Sequence, residues 1–193
     1  MRNLLAALAI LALPFGLGAA QASTVTLDYT GAPATFSSYD EDGFTTSVDN
    51  GTLQNGFFRP GEAYVATQFP ATVTIARTDM MAFSATSIDL VYWSNVPAGV
   101  TATIMGELAD GSMVSQTISG ITTLATYALS TDFSNIVALS FAQNGFSDAT
   151  QPGTLGAFGF DNVVVAPVPL PATGVLLLVA IGGVAAMRRK RGT

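Results

Sequence analysis

The chain has 193 residues, room for one domain once its two ends are set aside. It carries 7 Lys and Arg against 13 Asp and Glu, with no cysteine and no histidine. No Ser-His-Asp or Cys-His nucleophile can be assembled within it, and zinc loses its usual ligands.

The charge is unevenly placed. Arg2 lies at the start, and Arg188, Arg189, Lys190 and Arg191 lie at the end. All 13 acids fall between Asp28 and Asp161, where Arg59 and Arg77 are the basic residues. Such a surface repels phosphate backbones, so nucleic acid is not an expected partner. It tolerates cations, Ca²⁺ included.

The chain opens MRNLLAALAILALPFGLGAAQAS. One positive residue, an apolar stretch from Leu4 to Leu17 and Ala20-Gln21-Ala22 form the three-part layout of a secretory signal peptide. Small residues at Ala20 and Ala22 fit the narrow subsites of a signal peptidase. Residues 1–22 are expected to be removed, leaving Ser23 at the new N-terminus. Pro14, Gly16 and Gly18 interrupt the alternative, a retained helical anchor.

From Ser23 to Ala166 short apolar or Thr-rich runs alternate with turn signals. Strands are expected at Thr24–Tyr29, Ala34–Tyr39, Phe44–Val48, Thr72–Ala76, Thr86–Trp93, Val100–Glu107, Met113–Ile118, Thr126–Leu129, Ile136–Phe141 and Phe158–Val165. Turns are expected at Asp40-Glu41-Asp42-Gly43, Asp49-Asn50-Gly51, Pro97-Ala98-Gly99 and Asp110-Gly111, the last as a type I′ hairpin. Val100, Ala102 and Ile104 alternate with Thr101 and Thr103, which gives one buried and one wet face. Many strands with close turns mean an all-β sandwich or barrel. The phenylalanines at 36, 44, 57, 58, 69, 83, 133, 141, 158 and 160 can fill its core.

YDEDGF at Tyr39–Phe44, FSATSIDL at Phe83–Leu90, GELADGSMV at Gly106–Val114 and GFDNVVV at Gly159–Val165 follow one another in the order found in bacterial exported domains. The chain here resembles that group, whose fold is a jelly-roll β-sandwich similar to carbohydrate-binding modules. The resemblance implies that Asp161, at the last strand, ligates a structural Ca²⁺, with Asp40, Glu41 and Asp42 as its partners. Hard carboxylate oxygens suit that ion, and carboxylates crowded together repel one another without it. The plainer alternative is that Asp161 and Asn162 cap a turn and that the acidic run is a solvated hairpin tip. Tyr92 and Trp93 end a strand and could offer a stacking platform for a sugar, or could close the core edge. A glycosidase would need two carboxylates facing across a cleft at ~5–9.5 Å, and no pair stands out in the sequence.

The chain ends VPLPATGVLLLVAIGGVAAMRRKRGT. Ala172 to Met187 carries neither charge nor proline. At ~1.5 Å rise per residue it spans ~24 Å, short of the ~30 Å hydrocarbon core of a bilayer. Arg188, Arg189, Lys190 and Arg191 follow as a basic stop, which places the tail inside and the domain outside. Val168, Pro169, Leu170, Pro171 and Ala172, then the apolar run, then RRKR, resemble the VPLPA variant of the PEP-CTERM sorting signal. That resemblance implies cleavage by an exosortase-type membrane enzyme in a Gram-negative bacterium that makes extracellular polysaccharide. LPATG, from Leu170 to Gly174, also holds every fixed letter of a sortase motif. The full VPLPA match and the short, weakly basic N-terminus favour the first reader.

The expectation is a signal peptide at 1–22, a jelly-roll-like sandwich at 23–166 and a sorting signal at 167–193. The protein would pass through the inner membrane to the cell surface or the exopolysaccharide matrix. Its role there would be structural or adhesive rather than catalytic, with no cofactor beyond a possible Ca²⁺. A Ca²⁺-dependent carbohydrate-binding module, a sortase substrate and a small secreted glycoside hydrolase are the alternatives.

Overall fold

Apolar and polar residues alternate along the middle of the chain, and strand after strand turns that pattern into buried and wet faces. The structure, a computed structural model, describes residues 23–56, 65–67, 70–92, 100–143 and 158–168. Within them the strands are β1 (Val25–Leu27), β2 (Thr35–Phe36), β3 (Ser38–Glu41), β4 (Phe44–Val48), β5 (Leu53–Asn55), β6 (Val65–Thr67) and β7 (Ala71–Arg77). They continue as β8 (Phe83–Tyr92), β9 (Val100–Leu108), β10 (Met113–Ile121), β11 (Ala125–Ala128), β12 (Ile136–Gln143) and β13 (Phe158–Pro167). A single 3₁₀ turn, Thr131–Phe133, precedes β12. The fold is all-β, and every strand pair is antiparallel.

The hydrogen-bond ladder is continuous, but it folds into two layers. One sheet runs β3-β4-β7-β12-β9-β10. The other runs β2-β5-β6-β13-β8-β11, with β1 also lying on β13. A single residue pair, Ile136 opposite Phe83, joins them. The inner faces meet through aromatic contacts. Phe141 of β12 packs on Phe158 and Phe160 of β13 with ring centroids 5.8 and 4.8 Å apart. Phe44 of β4 meets Phe83 of β8 edge-on at 5.2 Å. Of the phenylalanines expected in the core, 36, 44, 83, 133, 141, 158 and 160 are buried; 57, 58 and 69 lie outside the described residues.

Side chains close one flank where strands cannot. Gln116 of β10 donates to the Ala128 carbonyl at 2.9 Å and accepts from the Ser130 amide at 2.8 Å, so its amide acts as one rung between the two sheet edges. Gly106 of β9 marks a close approach. A Cβ there would lie 2.8 Å from Ile136 Cγ2 and 2.9 Å from Val114 Cγ2, a case where only hydrogen fits.

Neither Asp-Gly turn takes its expected form. Glu41 pairs with Phe44, leaving Asp42 (φ 48) and Gly43 (φ 81) as a two-residue loop with both residues left-handed, the type I′ geometry. So β3 runs into the acidic segment, and the hairpin tip is Asp42-Gly43 alone. At 109–111 the loop has three residues instead. Gly111 donates to the Leu108 carbonyl, and Leu108 pairs with Ser112. Gly111 alone is left-handed (φ 81), the type I turn with a G1 bulge. The three-residue strands β5 and β6 had no period long enough to be read from sequence.

The paired strands β8 and β13 each carry a bulge. The inward positions on β13 are Phe158 and Phe160, then Val163 and Val165; on β8 they are Phe83 and Ala85, then Ile88 and Leu90. Each strand skips one residue, and the register shifts once between Asp161 and Val164 and back between Val164 and Val165. An extra residue on one strand alone would turn the rest of its face outward. Matching extra residues, Asn162 and Thr86, keep both halves of both strands facing the core. Asp161-Asn162 therefore lies inside the last described strand.

Candidate functional site

The acids that the sequence brings forward separate in space. Asp40 and Glu41 are neighbours on β3 and point to opposite faces. Asp40 is exposed, and its carboxylate accepts from the Thr45 hydroxyl at 2.6 Å. Asp42 is exposed at the hairpin tip. Glu41 turns the other way, and its Oε2 accepts the Tyr29 amide at 3.2 Å. Glu41 thereby comes into the electrostatic neighbourhood of Asp161, together with Asp28, which sequence reasoning passed over.

Asp161 is the buried member, 6% exposed. It sits directly opposite Asp89 in the β8–β13 register. Among the described strands this is the one register pair with two carboxylates, an arrangement that destabilises a sheet unless it is answered. The answer comes from neighbours. The Asn162 amide donates to Asp161 Oδ1 at 2.8 Å, and its side chain donates to Asp89 Oδ2 at 2.9 Å. Thr126, opposite Asp89 on β11, donates its hydroxyl to Asp89 Oδ1. Burial, with the charges of Asp89, Asp28 and Glu41 added, pushes the Asp161 carboxyl up to about 7. Glu41 is raised as well, by burial first and by Asp28 among the further causes. Asp28 is held below the usual range by the Thr30 amide and hydroxyl, at 2.9 and 2.8 Å from its Oδ1.

Tyr29 ties this corner to the core. The chain leaves β1 at Leu27, and Tyr29 takes a left-handed conformation (φ 54) that drops its ring between the sheets. The ring stands edge-on to Phe160 at 5.4 Å, and its hydroxyl shares a 2.9 Å hydrogen bond with Thr46. Burial raises its pKa far above the tyrosine range.

The corner's oxygen donors suit Ca²⁺ in kind. Their placement does not make a closed site: among the described residues no group of three or more carboxylates stands close enough to hold a metal ion. Hydrogen bonds from Tyr29, Thr30, Asn162 and Thr126 take up the carboxylates instead.

The outer face of the first sheet carries a row rich in hydroxyls. Ser38, Ser47, Thr74, Ser140, Met105 and Ser115 align as one row across its six strands. All described aromatic side chains are buried or half-buried. Tyr92 ends β8 opposite Phe158; its side chain and the whole of Trp93 lie outside the described residues, so the expected sugar platform does too. Ser23 is the first described residue and is exposed, while Ala20 and Ala22 lie outside. Val168 is described; Pro169, Leu170, Pro171, Ala172, the apolar run and Arg188, Arg189, Lys190 and Arg191 are not.

No family model and no curated protein matches this chain. Solved structures do match it in shape. One is a family 11 carbohydrate-binding module from Clostridium thermocellum in complex with a β-1,3-1,4-mixed-linked tetrasaccharide. It is 13% identical, with a TM-score of 0.37 over 76% of this chain and 96% of that one. Another is the C-terminal domain of a chitobiase from Bacteroides fragilis, 12% identical, with a TM-score of 0.34 over 77% and 93%. A two-domain protein of unknown function from the same organism is 14% identical, with a TM-score of 0.35 over 75% and 47%.

Sequence reasoning missed Asp28, Asp89 and the bracing by Asn162 and Thr126. One signal was present: the three-residue gap between apolar positions in FSATSIDL and in GFDNVVV marks the paired bulges. The pairing of those two strands, which sets Asp89 against Asp161, has no sequence signature.

Proposed function

We propose that this is an exported surface or matrix protein, the substrate of an exosortase-type sorting enzyme, with a non-catalytic jelly-roll sandwich as its mature part. The observation that carries this reading is where the sandwich stops. The last described strand ends at Pro167, and the Val168 amide donates to the Ala82 carbonyl at 3.2 Å. The VPLPA stretch thus begins directly after that strand. Pro169 and Pro171 disfavour helix in this stretch, as a protease substrate requires. The apolar run and RRKR then supply a span and a stop.

The one facing carboxylate pair among the described strands, Asp89 and Asp161, is braced by Asn162 and has a buried member. A polysaccharide partner is the second reading, favoured by the hydroxyl row on the first sheet and the acidic surface, which can take up sugar hydroxyls.

Mass spectrometry of the mature protein's two ends tests the sorting reading. We expect an N-terminus at Ser23 and a C-terminus within or just after Val168–Ala172. An end at Thr173 bearing a wall peptide would assign the tail to a sortase. A retained RRKR would make it a plain anchor.

A further inference from the structure

Large apolar side chains are exposed at three described positions, and two of them are adjacent. Met80 is 87% exposed and Met81 43%, on the loop from Thr78 to Ala82 between β7 and β8. This loop is braced. Thr78 donates to the Gly43 carbonyl and Met80 to that of Arg77, both at 3.0 Å. Met80 itself is left-handed (φ 59). Arg77 forms a two-pronged pair with Asp79 at 2.9 and 2.6 Å, and Asp79 Oδ1 also accepts the Met81 amide at 3.0 Å. The loop's one acid is therefore neutralised by Arg77 at the end of β7, and the tip that remains is two thioethers.

The place of this loop gives the tip a partner. Ala82, its last residue, holds Val168 through the 3.2 Å hydrogen bond, and Pro167 pairs with Phe83. The apolar run begins four residues later, at Ala172. Four extended residues reach at most ~14 Å. With that run in a bilayer, the end of the sandwich that carries Met80 and Met81 stays within ~14 Å of the hydrocarbon edge, close enough for the tip to reach the lipid.

We propose that the Met80–Met81 loop is a lipid-contacting foot, which seats this end of the sandwich on the outward-facing surface of the membrane that the tail spans, for as long as the tail spans it. The inference rests on the reading of the tail as a membrane span. Flexible apolar methionines suit a soft interface. The contact depends on the tether: two side chains are a weak anchor, while a short linker supplies a high effective concentration. Asp42 and Asp110 on turns at the same end also oppose binding of a free domain to anionic lipid. Cutting the tail thus removes the foot's grip, and the sandwich leaves the surface.

The chain has no cysteine, so single labels are clean. Met80→Cys, and Asn50→Cys on the turn at the opposite end as control, would each carry one bimane label in the chain from Ser23 to Thr193. Each is reconstituted in phosphatidylcholine vesicles containing brominated phosphatidylcholine. The expected result is flotation of both with the vesicles and several-fold stronger quenching at position 80 than at position 50. The same labels on a chain ending at Val168 should neither float nor be quenched. Equal quenching at the two positions in chains that float would overturn the foot and leave the anchor standing. Full chains that do not float would overturn the anchor, and the foot with it. Quenching at 80 in the chain ending at Val168 would overturn the dependence on the tether.

Discussion

Asp161 is a carboxyl that the fold holds at a cost. Its pKa of about 7 stands above the 3.8 of the unfolded chain. The unfolded state therefore loses its proton first as pH rises. The group's favourable contribution is full below about pH 3.8, declines as pH rises toward 7 and is flat above that. Glu41, also raised, acts in the same direction, whereas Asp28, lowered, acts in the opposite one. Thermal unfolding of the 23–168 domain should give a higher midpoint at pH 5 than at pH 7.5. Asp161→Asn should reduce that slope and gain on the order of 1 kcal/mol at pH 7.5, a few degrees in midpoint. Asn keeps an oxygen for the Asn162 amide and removes the charge facing Asp89. Loss of stability in this variant at pH 7.5, together with a calcium-dependent midpoint in the parent, would instead give the corner to a metal.

At the scale of the strand, the paired bulges explain why the most apolar segments break the period of two. Asn162 makes the bulge possible in two ways. It accepts a left-handed backbone (φ 45) at little cost, and its side chain donates a hydrogen bond to Asp89, one of the two facing acids. The two roles can be separated. Asn162→Gly keeps the conformation and loses the hydrogen bond, at a cost of about 1 kcal/mol. Asn162→Val loses both, and a β-branched residue at positive φ should add roughly 1–2 kcal/mol. Urea midpoints of the two variants should fall in that order; equal midpoints would mean that the backbone geometry is not what selects Asn. The turns teach the same lesson. Asp-Gly occurs at 42–43 and at 110–111, and the dipeptide alone does not decide the loop. At 42–43 the flanking register closes on Glu41 and Phe44, while at 109–111 it closes one residue earlier, on Leu108 and Ser112.

For the whole molecule, the last strand holds one sheet together. β13 pairs with β1, β6 and β8, and it brings Phe158, Phe160, Val163 and Val165 into the core. A sorting cut beyond Val168 leaves all of this intact. A cut before Gly159 removes the strand on which three others are paired. The chain 23–168 should unfold in one cooperative urea transition, and the chain 23–158 should show none. A cooperative transition in the shorter chain would mean that the sheets close without β13. Ser23 and Val168 also lie at one end of the sandwich, because Val25 pairs with Val165. Both proposed cuts would thus fall on the same side.

The sequence by itself determined the all-β class, most strands and seven of the buried phenylalanines. These are local properties: periodicity, turn residues, the charge map and short motifs are written in neighbouring positions. The tertiary structure alone decided the rest. Asp28 and Glu41 meet because β1 and β3 flank one corner, and Asp89 faces Asp161 because β8 pairs with β13. Those neighbours are 13 and 72 residues apart in the chain. No local pattern encodes which strand will lie beside which, because that choice is made by the burial of whole faces.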